Sequence, residues 1–213
     1  YAGIYLQDPE AVEPVFVALE SDGSDGYYAM MYTRSDSGIE SLEDMRGKSL
    51  AFADPNSTSG YLVPKAELEA QEINIEEYFS TTGFGGGHEQ AVVAVLNGQY
   101  DAGVTWTSGV GEESEGFSRG ALRSMVDKDL LDMKDLRIIW QSNLIPNGPW
   151  VVRKAIPQEA KDISSAWLET LHETDYECYI NVSQGEGKGF KRIDHSFFTN
   201  VVEMRKRELE GSR

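Results

Sequence analysis

At 213 residues the chain holds one large or two small domains at the usual size of about 150 residues each, so a disulfide-stapled miniprotein is excluded. The formal net charge of −17 repels nucleic acid and anionic membrane surfaces, whose recognition needs basic patches. A hydrophobic content of 40% with 10% aromatic residues is that of a chain with a packed interior, not a disordered acidic tail.

In chain order, Val15–Leu19 and Tyr27–Tyr32 read as strands separated by the turn-forming run Ser21–Gly26. Ser41–Met45 offers a capped helical turn stopped at Gly47, and Ser49–Ala53 a buried strand. A polar loop, Asp54–Gly60, leads into an amphipathic helix over Tyr61–Gln71, with Pro64 tolerated only in the first turn. A second cycle follows: strand Tyr78–Phe84, glycine loop, helix His88–Asn97 stopped at Gly98, strand Tyr100–Trp106. Thr107–Arg119 is polar and glycine-rich, and Ala121–Leu131 is predicted helical. Strands at Leu136–Trp140 and Trp150–Val152 flank the stiff turn Ile145–Pro149, and helices near Gln158–Glu173 and Phe197–Leu209 enclose a loop at Gly185–Gly189. Alternating strands and helices predict an α/β fold with mainly parallel sheets.

Asn56-Ser57-Thr58-Ser59-Gly60 sets three hydroxyls where a helix begins after a strand, beside first-turn N–H groups that have no intrahelical partner. Two readings stand. The hydroxyls and amides form a cradle for a small anion, uncharged because the loop has no Lys or Arg, or Ser57 or Ser59 simply caps the helix. Gly83–His88 is a weak match to a dinucleotide fingerprint, since the sixth position is His88 and no acid is well placed about 20 residues on. His88 at a helix start is either a second donor to the same anion or a surface capping residue. Tyr27, Tyr28, Trp106 and Trp150 read as core, although Trp106 and Trp150 follow strands or turns where pocket walls are usual.

Other chemistries lack their residues. The three histidines, His88, His172 and His195, share no metal-ligand spacing, and neither a nucleophile elbow nor a P-loop is present. No metal and no cofactor are expected. Cys178 is the single cysteine, which excludes an internal disulfide and a CxxC redox pair. No apolar run reaches about 18 residues, and Tyr1–Tyr5 has neither part of a signal peptide. Without an initiating Met, a processed or truncated product is expected.

Asp54–Pro64 (DPNSTSGYLVP), Ser41–Lys48, His88–Asp101 and Ile145–Pro149 resemble the phosphonate-binding family, the periplasmic solute-binding components of ABC importers of phosphonate, phosphite and phosphate-like anions. The resemblance implies the type II periplasmic binding-protein fold: two lobes joined by two crossing strands, with the ligand clamped between them. Mapped here, residues 1–33 and 145–213 form the first lobe and residues 34–144 the second. The crossing strands fall near Tyr28–Thr33 and Trp150–Lys154, and the first lobe lacks its N-terminal portion, so a longer natural protein is expected. The ligand donors carry over to Ser57, Thr58, Ser59, His88 and Tyr27. Ser108 and Gly148 stand where acids would grip an aminoalkyl phosphonate, while Trp106 or Trp150 offers a ring face to a cation.

The expectation is therefore a periplasmic, non-enzymatic receptor that passes a phosphorus oxyanion to a membrane permease, with no nucleic-acid partner and no direct membrane insertion. The rivals are a phosphoester- or nucleotide-acting enzyme on a doubly wound fold and a ligand-sensing module of a regulator.

Overall fold

Nine apolar or β-branched segments of the chain pair as strands in a computed structural model, which describes residues 1–183 and 187–211. They are β1 (Val12–Ala18), β2 (Gly26–Arg34), β3 (Ser49–Phe52), β4 (Thr81–Phe84), β5 (Ala102–Thr107), β6 (Leu136–Gln141), β7 (Ile145–Pro146), β8 (Trp150–Arg153) and β9 (Phe190–Arg192). The helices are α1 (Ala2–Gln7), α2 (Val63–Ala70), α3 (Ile75–Tyr78), α4 (His88–Leu96), α5 (Ala121–Asp127), α6 (Gln158–Thr174), α7 (Tyr176–Ser183) and α8 (Thr199–Gly211). The expected loop at 185–189 lies partly outside the described residues. The chain divides into two units, Tyr1–Gly26 with Pro146–Arg213, and Tyr27–Ile145.

In the Tyr27–Ile145 unit the strand order is β4-β3-β5-β2-β6. Strand β3 runs parallel to β4 and β5, as strand–helix–strand connections require. Strand β2 lies antiparallel between β5 and β6, so β3, β4, β5 and β6 share one direction and β2 runs against them, with the short β7 also pairing with β2. The sheet is therefore mixed, because β2 belongs to no strand–helix–strand succession within this unit. Its hydrogen bonds to β5 and β6 also group residues 27–33 with residues 34–144, where the sequence reading put them in the other lobe.

Helices α4 and α5 bury Val92, Val95, Leu122 and Met125 against Tyr32 and Leu136. Spacings of three residues within each helix put these side chains on one face. At Tyr32 the apolar core encloses a hydroxyl that has no hydrogen-bond partner among the described residues. Burial holds that phenol well above its ordinary pKa. Gly103 makes room for it, since a Cβ there would stand 2.4 Å from the hydroxyl oxygen. Tyr32→Phe removes a desolvated, unsatisfied group and is expected to raise stability by about 1–3 kcal/mol. Urea unfolding checks this, and a loss of stability would show that the hydroxyl has a partner in solution.

In the other unit β1 is the central strand, antiparallel to β8 on one side and β9 on the other. Here too the mainly parallel expectation is corrected, because β1 is bracketed by strands from the far end of the chain. Successive side chains of a strand point to opposite faces. Phe16 accordingly packs with Leu168, Leu171, Tyr179 and Phe190, and Val17 with Phe198 and Val202. The segment expected as a second crossing strand, Trp150–Lys154, instead supplies β8, with Trp150 opposite Phe16 and Arg153 opposite Val12. The chain leaves the larger unit earlier, after Ile145. A further difference concerns a local element: Tyr78, expected to begin a strand, ends helix α3, where its hydroxyl donates to the Leu42 carbonyl at 2.8 Å.

Candidate anion-binding site

The last residues of β3 bring two loops together. Ala53 donates its N–H to the Gly60 carbonyl at 2.9 Å, and its own carbonyl accepts the N–H groups of Gly86 at 3.1 Å and Gly87 at 2.8 Å. One residue therefore anchors both the hydroxyl loop and the glycine loop. Gly87 precedes α4 at φ 150°, a conformation that side chains disfavour, and so delivers His88 at the first helical position.

The hydroxyl loop is closed by its own first residues. Asp54 accepts the Asn56 N–H on its carboxylate at 2.8 Å and the Ser57 N–H on its carbonyl at 3.0 Å. Residues Thr58–Leu62 then make a π-helical turn, with the Leu62 N–H donating to the Ser57 carbonyl at 3.1 Å, before α2 begins. Ser57 caps this turn by accepting the Gly60 N–H on Oγ at 2.9 Å. The same oxygen lies 3.1 Å from His88 Nε2. Capping and contact with His88 are thus simultaneous, and the two sequence readings of Ser57 do not compete.

Space at this contact is set by Gly60. A Cβ on it would stand 2.5 Å from the Ala53 methyl, 2.9 Å from His88 Cε1 and 2.9 Å from Ser57 Oγ. Only a residue without a side chain lets the ring, the cap and the strand end meet.

Two positions on, Ser59 is 4% exposed, and its side chain lies beside the Tyr27 phenol. Burial pushes the Tyr27 phenol up, opposed by the neighbouring Ser59 side chain and by the positive charge of Arg119. Tyr27 meets the Trp106 ring edge-on at 5.6 Å, and the Arg119 guanidinium lies over the same indole, 5.8 Å from its centroid. Thr58 is half-buried between Ser57 and Ser59 in sequence. One turn of backbone therefore carries Ser57 to His88 and buries Ser59 two positions on.

The loop Thr107–Gly120 folds back on itself, with the Ser108 N–H donating to the Arg119 carbonyl at 2.8 Å. Ser108 is fully buried, its hydroxyl 2.9 Å from that of Ser118, and it closes the loop without offering exposed surface. Gly148 and Trp150 belong to the other unit. There Trp150 is half-buried and packs edge-on against Phe190 at 5.4 Å. Sequence reasoning missed Arg119, the single basic residue between Trp106 and Gly120, and Thr105, whose hydroxyl lies 3.3 Å from His88 Nδ1.

Burial lowers the pKa of His88 below its ordinary 6.5, with Asp54 opposing the shift. The ring is therefore neutral at pH 7. As pH falls through 6.5 the unfolded chain takes up this proton first, so His88 withdraws stability from there down to its folded midpoint and none above. An imidazole NMR titration is expected to place the His88 midpoint below 6.5, and Asp54→Asn to lower it further. A midpoint at or above 6.5 would show that water reaches the ring freely.

The donors present are hydroxyls, a neutral imidazole, helix-start amides and one adjacent guanidinium, a set that suits an oxyanion. Among the described residues no group of three or more His, Cys, Asp or Glu side chains could hold a metal ion, and no helix is long and apolar enough to cross a membrane.

The two-unit α/β architecture is the type II periplasmic binding-protein fold. It superimposes on a binding-protein component of an ABC phosphonate transporter from Pseudomonas aeruginosa with a TM-score of 0.73 at 23% identity, covering 95% of this chain and 64% of that one. Residues 1–196 match the ABC transporter, phosphonate, periplasmic substrate-binding protein family, and the chain belongs to that family. It is 30% identical over 210 residues to a phosphate-import protein, PhnD, of Mycolicibacterium smegmatis, an alignment covering 92% of this chain and 59% of the relative. It is 35% identical over 147 residues to a phosphonates-binding periplasmic protein of Escherichia coli, covering 67% and 39%. The chain thus spans well under two thirds of the length of these two relatives. A family of transporter binding components lends nothing to the enzyme alternative.

Proposed function

We propose that this chain belongs to a periplasmic receptor that captures a phosphonate or related phosphorus oxyanion and presents it to the membrane permease of an ABC importer. Ser57, Thr58 and Ser59 receive the anion's oxygens, His88 holds Ser57 in place for them, Tyr27 adds a hydroxyl, and Trp106 with Arg119 borders them. The two units act as lobes, and closure around the ligand is the state that the permease reads. The observation that carries this reading is the pairing of Ser57 with His88 on one turn at the start of a helix, with Ser59 buried two positions on. Neutral donors bind such an anion without transforming it, and Arg119 adds attraction at the Tyr27 side.

Family membership supports the ligand class. The relatives' names include both phosphate import and phosphonate binding, so the preferred compound is a matter of measurement. Calorimetry on the full-length protein with methylphosphonate, 2-aminoethylphosphonate, phosphite and phosphate tests the proposal. Saturable binding of one or more of them is expected, and no heat with any of them overturns it.

A further inference from the structure

Thr105 lies in strand β5 with none of its surface exposed. Its hydroxyl has one hydrogen-bond partner among the described residues, His88 Nδ1 at 3.3 Å. The other ring nitrogen, Nε2, is 3.1 Å from Ser57 Oγ, which also accepts the Gly60 N–H at 2.9 Å.

Two proton arrangements are consistent with these contacts. In the first, Nδ1–H donates to Thr105 and Ser57 donates to Nε2. The Thr105 hydrogen is then buried without an acceptor, and the Ser57 hydrogen is consumed inside the protein. In the second, Thr105 donates to Nδ1, Nε2–H donates to Ser57, and both lone pairs of Ser57 Oγ are filled. The Ser57 hydrogen is then left for a ligand. A hydroxyl hydrogen stripped of water and given no acceptor is costly, so the second arrangement prevails.

We propose that Thr105 is a positioning residue of the anion site, fixing His88 as the Nε2–H tautomer so that Ser57 points its hydroxyl hydrogen at the bound oxyanion. The inference rests on the functional reading above and adds a selectivity to it. Ser57 presents a donor and no acceptor, so it receives an unprotonated phosphorus oxygen and not a P–OH group.

The test combines nitrogen-15 NMR of the histidine ring in full-length protein, assigned with a His88→Gln variant, with calorimetry using methylphosphonate and inorganic phosphate. The wild type is expected to show the Nε2–H tautomer at a pH where the ring is neutral. Thr105→Val is expected to mix the tautomers and weaken binding about tenfold, and Thr105→Ser, which keeps the hydroxyl, to restore both. An Nδ1–H ring in the wild type, or Thr105→Val binding as tightly as the wild type, overturns this inference and leaves the functional reading standing. If Thr105→Val does not fold, the wild-type tautomer decides, together with Thr105→Ser, whose failure to bind like the wild type also counts against the inference. A wild type that binds neither anion overturns the functional reading, and this inference with it.

Discussion

Gly60→Ala is expected to abolish most phosphorus-oxyanion binding, weakening it by about a hundredfold or more, and to destabilise the protein at the same time. The added methyl would lie 2.5 Å from the Ala53 side chain and 2.9 Å from both His88 Cε1 and Ser57 Oγ. Ala53 is held by hydrogen bonds to both loops and cannot retreat alone. The strain is therefore relieved by moving the turn or expelling the ring, and either separates Ser57 from His88. Losing the Ser57 donor and displacing the other hydroxyls of the same turn, at about 1–3 kcal/mol each, accounts for the affinity, and overpacking costs about 1–3 kcal/mol of stability. Calorimetry and urea unfolding check the two effects separately. Adding Ala53→Gly to Gly60→Ala removes the shortest contact and is expected to recover part of the stability. It leaves the contacts with His88 and Ser57, so binding stays weak. Full recovery of binding in that double variant would mean that the ring and the cap do not need Gly60.

How much of this was legible in the sequence depends on whether the determining interaction is local. The hydroxyl loop was, because strand, polar turn and helix start are contiguous and each hydroxyl's position follows from the backbone it caps. His88 was legible as a residue at a helix start, but its 3.1 Å approach to Ser57 depends on the Ala53 carbonyl gathering the second loop, a contact between strands distant in sequence. Arg119 was not legible, because only the closure of Thr107–Gly120 brings it over Trp106. Thr105 sits in a run that reads as ordinary buried strand, where threonine is a common β-former. The reversal of β2 was hidden for a related reason. Alternation of strands and helices fixes the direction of strands joined by those helices, and β2 is not one of them. Helix α7 is only eight residues long and polar at its start, too short to be stable on its own, and its Tyr179 is held by packing with Phe16 and Phe190.

Ser57→Ala is expected to weaken binding by about 1–3 kcal/mol, which is roughly 5- to 160-fold, and His88→Gln by a similar amount. Neither figure is independent of the other. Ser57 Oγ accepts from the same ring nitrogen that would otherwise be free to reach the ligand, so removing Ser57 releases a donor as it deletes one. Removing His88 in turn frees a lone pair on Ser57 Oγ and lets its hydrogen swing away from the anion. The double variant is expected to lose less than the sum of the two single losses, by about 0.5–3 kcal/mol, as for residues in direct hydrogen-bonded contact. Phosphate or methylphosphonate calorimetry on all four proteins at one pH above 7, where the ring is neutral in each protein that has it, measures the cycle. Strict additivity would show that serine and imidazole meet the anion separately. Unchanged affinity in Ser57→Ala would place the anion away from the hydroxyl loop altogether.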